Sequence, residues 1–170
     1  MVVKSWVALI DRLSLRLSQI VSWFGLVMVL LTLAVVVLRY GFDLGWVAMQ
    51  ETVMYLHACV FMLGASYTFS VDKHVRVDVF YSKMSANRQH WVNLCGGIFL
   101  LIPVCLFIFI ASWEYVIAAW QTMERSNEAG GLPLVYALKT LILLFSGLML
   151  LQGLADVLRH AIAIGQREAR

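Results

Sequence analysis

Four long stretches that are almost free of ionisable side chains govern what this chain can fold into. Leu17 to Leu38, Thr52 to Val71 and Gln89 to Trp113 contain no Asp, Glu, Lys or Arg, and Ala129 to Ala155 holds only Lys139. A helix needs roughly 20 apolar residues to cross a hydrocarbon core about 30 Å thick. Each stretch is therefore long enough to span a bilayer. Composition agrees: 62% of the residues are apolar and 14% charged, against about 45–50% and 25% in ordinary soluble domains. The mean hydropathy of +0.84 argues against both a water-soluble globule and a disordered chain. The sequence predicts an all-α integral membrane protein with four transmembrane helices, near residues 20–38, 52–71, 91–112 and 134–155. Too little chain remains for a second domain, so residues 1–170 read as one membrane domain.

The first apolar stretch is preceded by Lys4, Arg12 and Arg16. It is nevertheless longer than the roughly 7–15 residues of a signal-peptide core and ends in Leu38-Arg39-Tyr40 without a small-residue cleavage pattern. A retained helix is expected. Ahead of it, Trp6, Leu9, Ile10, Leu13 and Leu17 recur at helical spacing among Lys4, Asp11, Arg12 and Arg16. That pattern predicts an amphipathic helix over residues 1–18 lying in the membrane interface before the chain turns inward.

Orientation follows from the cations near the span ends. Lys4, Arg12 and Arg16 lie in the N-terminal tail, Lys73, Arg76, Lys83 and Arg88 in the middle loop, and Arg159, Arg167 and Arg170 in the C-terminal tail. Only Arg39, Arg125 and Lys139 lie elsewhere. The positive-inside rule then predicts cytoplasmic termini and a cytoplasmic middle loop. A modestly basic pI near 8.9 in so apolar a chain points to membrane lipids before nucleic acid as its charged surroundings.

Local signals shape the connections. Ser85 is placed to cap the third span. Pro103 falls inside that span and should kink it or open its hydrogen bonding. Trp113, Tyr115 and Trp120 read as an outer aromatic belt. Gly130-Gly131-Leu132-Pro133 reads as a helix stop and restart, with Pro133 suited to a first-turn position.

The chemistry-bearing residues are sparse. No phosphate-cradling glycine loop, nucleophile elbow or metalloprotease motif occurs. His57 is the only histidine deep in a span, while His74, His90 and His160 lie at span ends or in loops. A haem held by two histidines has no facing partner, so His57 reads as packed or bonded between helices. His74 and Asp78 share one helical face and could form half of a metal site. No second pair completes it, and an ordering role in the loop is the simpler reading. Cys59, Cys95 and Cys105 lack short C-x-x-C spacing and sit in apolar tracts, which disfavours a disulfide framework or a thiolate site. No catalytic group, metal or other cofactor is expected.

Three charges near the outer boundary stand out: Arg39, Glu51 and Lys139. An ionised group at such depth is costly unless it snorkels or is paired. Glu51 is therefore expected to pair with Arg39 or Lys139 and fix helix packing. The competing reading makes Glu51 the proton-coupled carboxylate of a small self-sufficient transporter. Gly64-Ala65-Ser66, Gly96-Gly97, Gly147 and Gly153 offer surfaces for close helix approach.

Taken together, several blocks resemble one family. They are Arg39-Tyr40, Gln50-Glu51, Leu63-Gly64-Ala65-Ser66-Tyr67-Thr68, His74-Val75-Arg76-Val77-Asp78-Val79-Phe80-Tyr81, Gly130-Gly131-Leu132-Pro133, Lys139 and Leu151-Gln152-Gly153-Leu154. From about Ser22 to His160 the chain resembles the small membrane subunit of tripartite ATP-independent periplasmic (TRAP) transporters, the DctQ-like family. The resemblance implies a non-catalytic subunit of the bacterial inner membrane. Its partners would be a large membrane subunit, holding the sodium and substrate sites, and a periplasmic binding protein that delivers an organic acid. The small subunit would scaffold the large one. Arg39, Glu51, Gly64, Ala65, His74, Arg76, Asp78 and Lys139 are then candidates for structural or partner-interface roles. A membrane anchor of a respiratory complex remains an alternative, as does the Glu51-dependent transporter.

Overall fold

The computed structural model describes residues 2–74 and 78–168, with side chains described for 5–74 and 79–166. Long apolar runs with few helix breakers produce long helical rods. The first, α1 (Val2–Gly41), is one unbroken helix of 40 residues, about 60 Å long at 1.5 Å per residue. The expected turn between an interfacial helix at 1–18 and a separate span is absent. No proline lies in this stretch, and Gly25 is its only interior glycine, so nothing interrupts the hydrogen-bond ladder. The amphipathic pattern survives as two faces of the same rod. Trp6, Leu9 and Leu13 are exposed, whereas Val7, Ser14 and Val21 are buried against the bundle.

A short connection leads to α2 (Val47–Ser70), and the tiny α3 (Asp78–Tyr81) precedes α4 (Ala86–Gly96). Ser85 takes the N-cap position of α4, but its hydroxyl makes no capping bond. A π-helical turn (Gly97–Leu101) then joins α4 to α5 (Ile102–Gln121), making one rod from Ala86 to Gln121. Pro103 explains the π turn. It has no N–H to donate to the fourth carbonyl back, and its ring crowds that carbonyl. The ladder widens instead, and the Ile102 N–H donates to the Gly97 carbonyl five residues earlier. The last rod, α6 (Val135–Glu168), starts two residues beyond Pro133. Among the described residues there is no strand, and four helical rods are long and apolar enough to cross a membrane.

The rods do not close into a ring. α1 packs on α2, α2 on α6, and α6 on the α4–α5 rod, with α1 and α6 also meeting. α6 is the hub. It buries Leu141, Ser146, Met149, Gln152 and Ala155, and two glycines set its approach to the third rod. A methyl group built on Gly97 would lie 2.7 Å from Val157 Cγ2, and one on Gly153 would lie 2.8 Å from Leu101 Cδ2. Dense van der Waals contact of this kind drives helix association where lipid tails are as apolar as the side chains.

This geometry separates two glycine substitutions. In a helix interior, alanine is favoured over glycine by about 1 kcal/mol. Gly25 has open space around it, so Gly25→Ala should hold or raise the melting temperature in detergent. Gly97→Ala drives a methyl into the stiff Val157 side chain and should cost about 1–3 kcal/mol through overpacking. An equal response of the two variants would show that the close approach of α4 to α6 contributes nothing.

Candidate functional site

The polar side chains collect at the two ends of the bundle. One end, here the turn end, carries the connections 42–46 and 122–134. The other, the terminal end, carries the start of α1, the end of α6 and the described residues that follow α2.

At the turn end the first residues of α2 place Glu51 under the α5–α6 connection. Ser126 donates its hydroxyl to Glu51 Oε1, and the Leu132 N–H donates to Oε2 at 2.5 Å. The connection closes on itself through the Ser126 N–H to the Leu132 carbonyl at 3.1 Å and the Gly131 N–H to the Glu128 carbonyl at 3.0 Å. Two glycines make the turn possible. Gly130 sits at φ +77°, a left-handed conformation that costs glycine least. A methyl on Gly131 would lie 2.8 Å from Glu51 Oε1 and 2.5 Å from the Ser126 hydroxyl.

The expected pairing of Glu51 with Arg39 or Lys139 is thus corrected. Both carboxylate oxygens accept from a hydroxyl and a backbone amide, charge-assisted bonds that need no cation. Lys139 pairs with Glu124 instead, Nζ to Oε2 at 2.5 Å, and lies 3.9 Å from the centre of the Tyr115 ring. Arg39 is exposed at the end of α1 and enters no ion pair among the described residues. Trp113, Tyr115 and Trp120 stand half-exposed around this end, and Trp120 ties α5 to α6 through Nε1 to the Thr140 hydroxyl at 2.8 Å. The sequence counted nearby cations, while Ser126 and Leu132 become donors only once the glycines have folded the connection back onto α2.

The terminal end holds a second cluster. Fully buried Gln152 accepts from the Ser14 hydroxyl at 3.1 Å and donates to Asp11 Oδ1 at 3.0 Å. Arg159 also reaches Asp11, and lies 3.4 Å from Asp156. The Nδ1 atoms of His90 and His160 stand 2.9 Å apart, so one donates to the other. Asn93 Nδ2 donates to the Tyr81 hydroxyl at 2.8 Å and faces His160 Nε2 at 3.1 Å. Four helices are thereby joined: α1, α3, α4 and α6. Sequence reasoning missed Gln152 and Ser14 as partners. Their signal was a small and polar stripe on α1 (Val7, Asp11, Ser14, Ser18, Val21) opposite the apolar stripe.

The remaining candidates are spread out. Gly64 and Ala65 lie on α2, with nothing within 4 Å of a methyl built on Gly64. His74 is exposed after α2, its ring edge-on to Phe69. Arg76 and the side chain of Asp78 lie outside the described residues. Among the described residues no group of three His, Cys, Asp or Glu side chains could hold a metal ion.

Continuous apolar rods with polar networks at both ends define an all-α integral membrane protein. The family model of the DctQ component of tripartite ATP-independent periplasmic transporters matches residues 8–162, so the chain belongs to that family. It is thus a transporter component. A protein of Haemophilus influenzae whose name describes a TRAP transporter small permease is 35% identical over 78 residues, covering 46% of this chain. The chain spans 48% of the length of that relative. No solved structure matches the chain.

Two substitutions distinguish the polar contacts. Glu51→Gln keeps the shape but loses the carboxylate that holds the connection. It should lower the melting temperature and open residues 122–134 to protease more than Lys139→Gln does. Equal cleavage in both variants would refute this division of roles. Gln152→Leu leaves the buried Ser14 hydroxyl without its acceptor and removes one of the donors to Asp11, a loss of about 1–3 kcal/mol, read from thermal unfolding in detergent.

Proposed function

We propose that this chain is the non-catalytic small permease subunit of a sodium-coupled, binding-protein-dependent transporter for an organic acid, and that it scaffolds the large transport subunit in the bacterial inner membrane. The observation that carries this reading is the scarcity of polar side chains in the spans between the two polar ends, where most hydroxyls bond back onto their own helix. Secondary transporters bind substrate and ion near the midplane, at broken helices whose freed backbone and polar groups line a site. Among the described residues the one irregular turn within the spans, Gly97–Leu101, stays hydrogen-bonded and packs through Gly97 onto α6. After Gly97 the turn consists of Ile98, Phe99, Leu100 and Leu101, whose side chains offer no ligand for an ion or a carboxylate.

Glu51 speaks against the self-sufficient transporter. A proton-coupled carboxylate must exchange its partners during turnover, whereas Glu51 is engaged by Ser126 and Leu132 in a closed connection. The terminal-end network adds a rigid joint between α1, α4 and α6, as a support requires. The cation distribution supports an orientation with both termini and the loop after α2 in the cytoplasm. The large subunit would supply the sodium and substrate sites, and a periplasmic binding protein would deliver the substrate.

Proteoliposomes containing only this chain should show no sodium-driven uptake of any carboxylate. Adding the large subunit and the matching binding protein should restore it, and omitting this chain should abolish it. Robust uptake by the chain alone would overturn the proposal. A reporter fused near Ser85 should give a cytoplasmic signal, and a periplasmic one would refute the orientation.

A further inference from the structure

Within the spans, polar side chains have two fates. Most hydroxyls fold back on their own helix: Thr32 onto the Met28 carbonyl at 2.8 Å, Thr52 onto Ala48 at 2.7 Å, Thr68 onto Gly64 at 3.1 Å and Ser146 onto Ile142 at 2.8 Å. His57 does not. It is exposed on α2, makes no hydrogen bond among the described residues, and its ring contact is with Phe61 at 6.3 Å between centroids. Along the axis it lies within about 2 Å of the midpoint of α2, at 1.5 Å per residue. Water cannot satisfy an imidazole at that depth, and lipid tails offer neither donor nor acceptor.

The surroundings of His57 form a continuous face. Gln50, Met54, His57, Phe61, Gly64 and Thr68 fall within an arc of about 80° at 3.6 residues per turn. Met54 is 52% and Phe61 72% exposed, and Gly64 has open space where a side chain would stand. α1 and α6 occupy the other sides of α2. The remaining outward faces differ in kind. That of α1 presents Leu26, Val29, Leu30 and Leu33, that of α6 presents Leu144, Leu151, Leu154 and Leu158, and that of α5 presents Val104, Leu106, Phe107 and Ile110. Those suit lipid.

We propose that this α2 face is where the large permease subunit packs, with one of its transmembrane helices approaching closely at Gly64 and presenting a hydrogen-bonding group to His57. The inference rests on the small-subunit reading and adds the surface. Shape favours a different partner over a second copy. The face is bulky at Met54, His57 and Phe61 and open at Gly64. Two copies inserted in parallel would set bulk against bulk and leave a gap at the glycine. A partner of opposite taper fills both, and the imidazole bond then fixes its register.

The test uses the co-expressed complex, with the photo-cross-linker benzoylphenylalanine placed at Met54, Phe61, Phe107 or Leu151. Positions 54 and 61 should cross-link to the large subunit, and 107 and 151 should not. His57→Leu and Gly64→Leu should lower recovery of the large subunit on the tagged chain by about 3- to 30-fold, the range of an interhelical hydrogen bond in a membrane. His57→Asn should retain most of it. The isolated His57→Leu chain should melt like the wild type, since His57 makes no hydrogen bond within it, which separates lost docking from misfolding. Cross-links from Phe107 or Leu151 alone, or from Met54 and Phe61 to a second copy, overturn the face while leaving the subunit reading intact. Unchanged recovery with His57→Leu also overturns it. A wild-type chain that retains no large subunit overturns the subunit reading and the face together.

Discussion

In hydrocarbon, a backbone amide or carbonyl left unpaired costs several kcal/mol, because no water is there to replace the missing partner. Every other feature of this chain follows from that constraint. It makes the apolar stretches helical from end to end and turns α1 into a single rod. It forces Pro103 to be met by a widened turn rather than a break, with the Ile102 amide redirected to Gly97. It also pushes most polar side chains either back onto their own helix or out to the ends, where the loops lie. The close approach of α6 to the third rod at Gly97 and Gly153 adds van der Waals cohesion to the polar joints at the ends.

The same constraint decides what the sequence could reveal. Spans, helix content and the disturbance at Pro103 depend on the local order of residues, so they were legible. The amphipathic segment before the first span runs into it without a turn, because amphipathicity predicts a face and not a break, and nothing between residues 18 and 20 ends a helix. Glu51 was misassigned for a related reason. Its donors come from Ser126 and Leu132, about 80 positions away, and the glycines that bring them near act through backbone shape. Charge counting favours Lys139, whose amine found Glu124 across the connection. The role of Gln152 depends on Ser14 and Asp11 of α1, about 140 positions away, which only the fold places beside it.

The two polar ends differ in what they can resist. At the turn end a carboxylate holds neutral donors, so the connection between α5 and α6 is pinned to the start of α2. At the terminal end, paired charges, an amide and two imidazoles join four helices at once, and buried networks of this kind act as a unit. A bundle clamped at both ends with little polar material between them resists bending about its middle. That property agrees with the supporting role proposed for this chain.

Surfaces in a membrane must be read with the usual sign reversed. In water, exposed Leu, Val and Phe would mark a contact site, and this chain would seem covered with them. In lipid those side chains are already at rest, and removing them from lipid gains little beyond packing. The informative residues are the ones lipid cannot accommodate and the ones that let another backbone come close. By that criterion the leucine stripe of α6 and the apolar face of α5 say nothing about partners. The face of α2 does, because a midplane imidazole and an open glycine occur there together about two turns apart. Either alone is unremarkable in a transmembrane helix. On one stripe they ask for the same thing, a second protein helix near enough to bond.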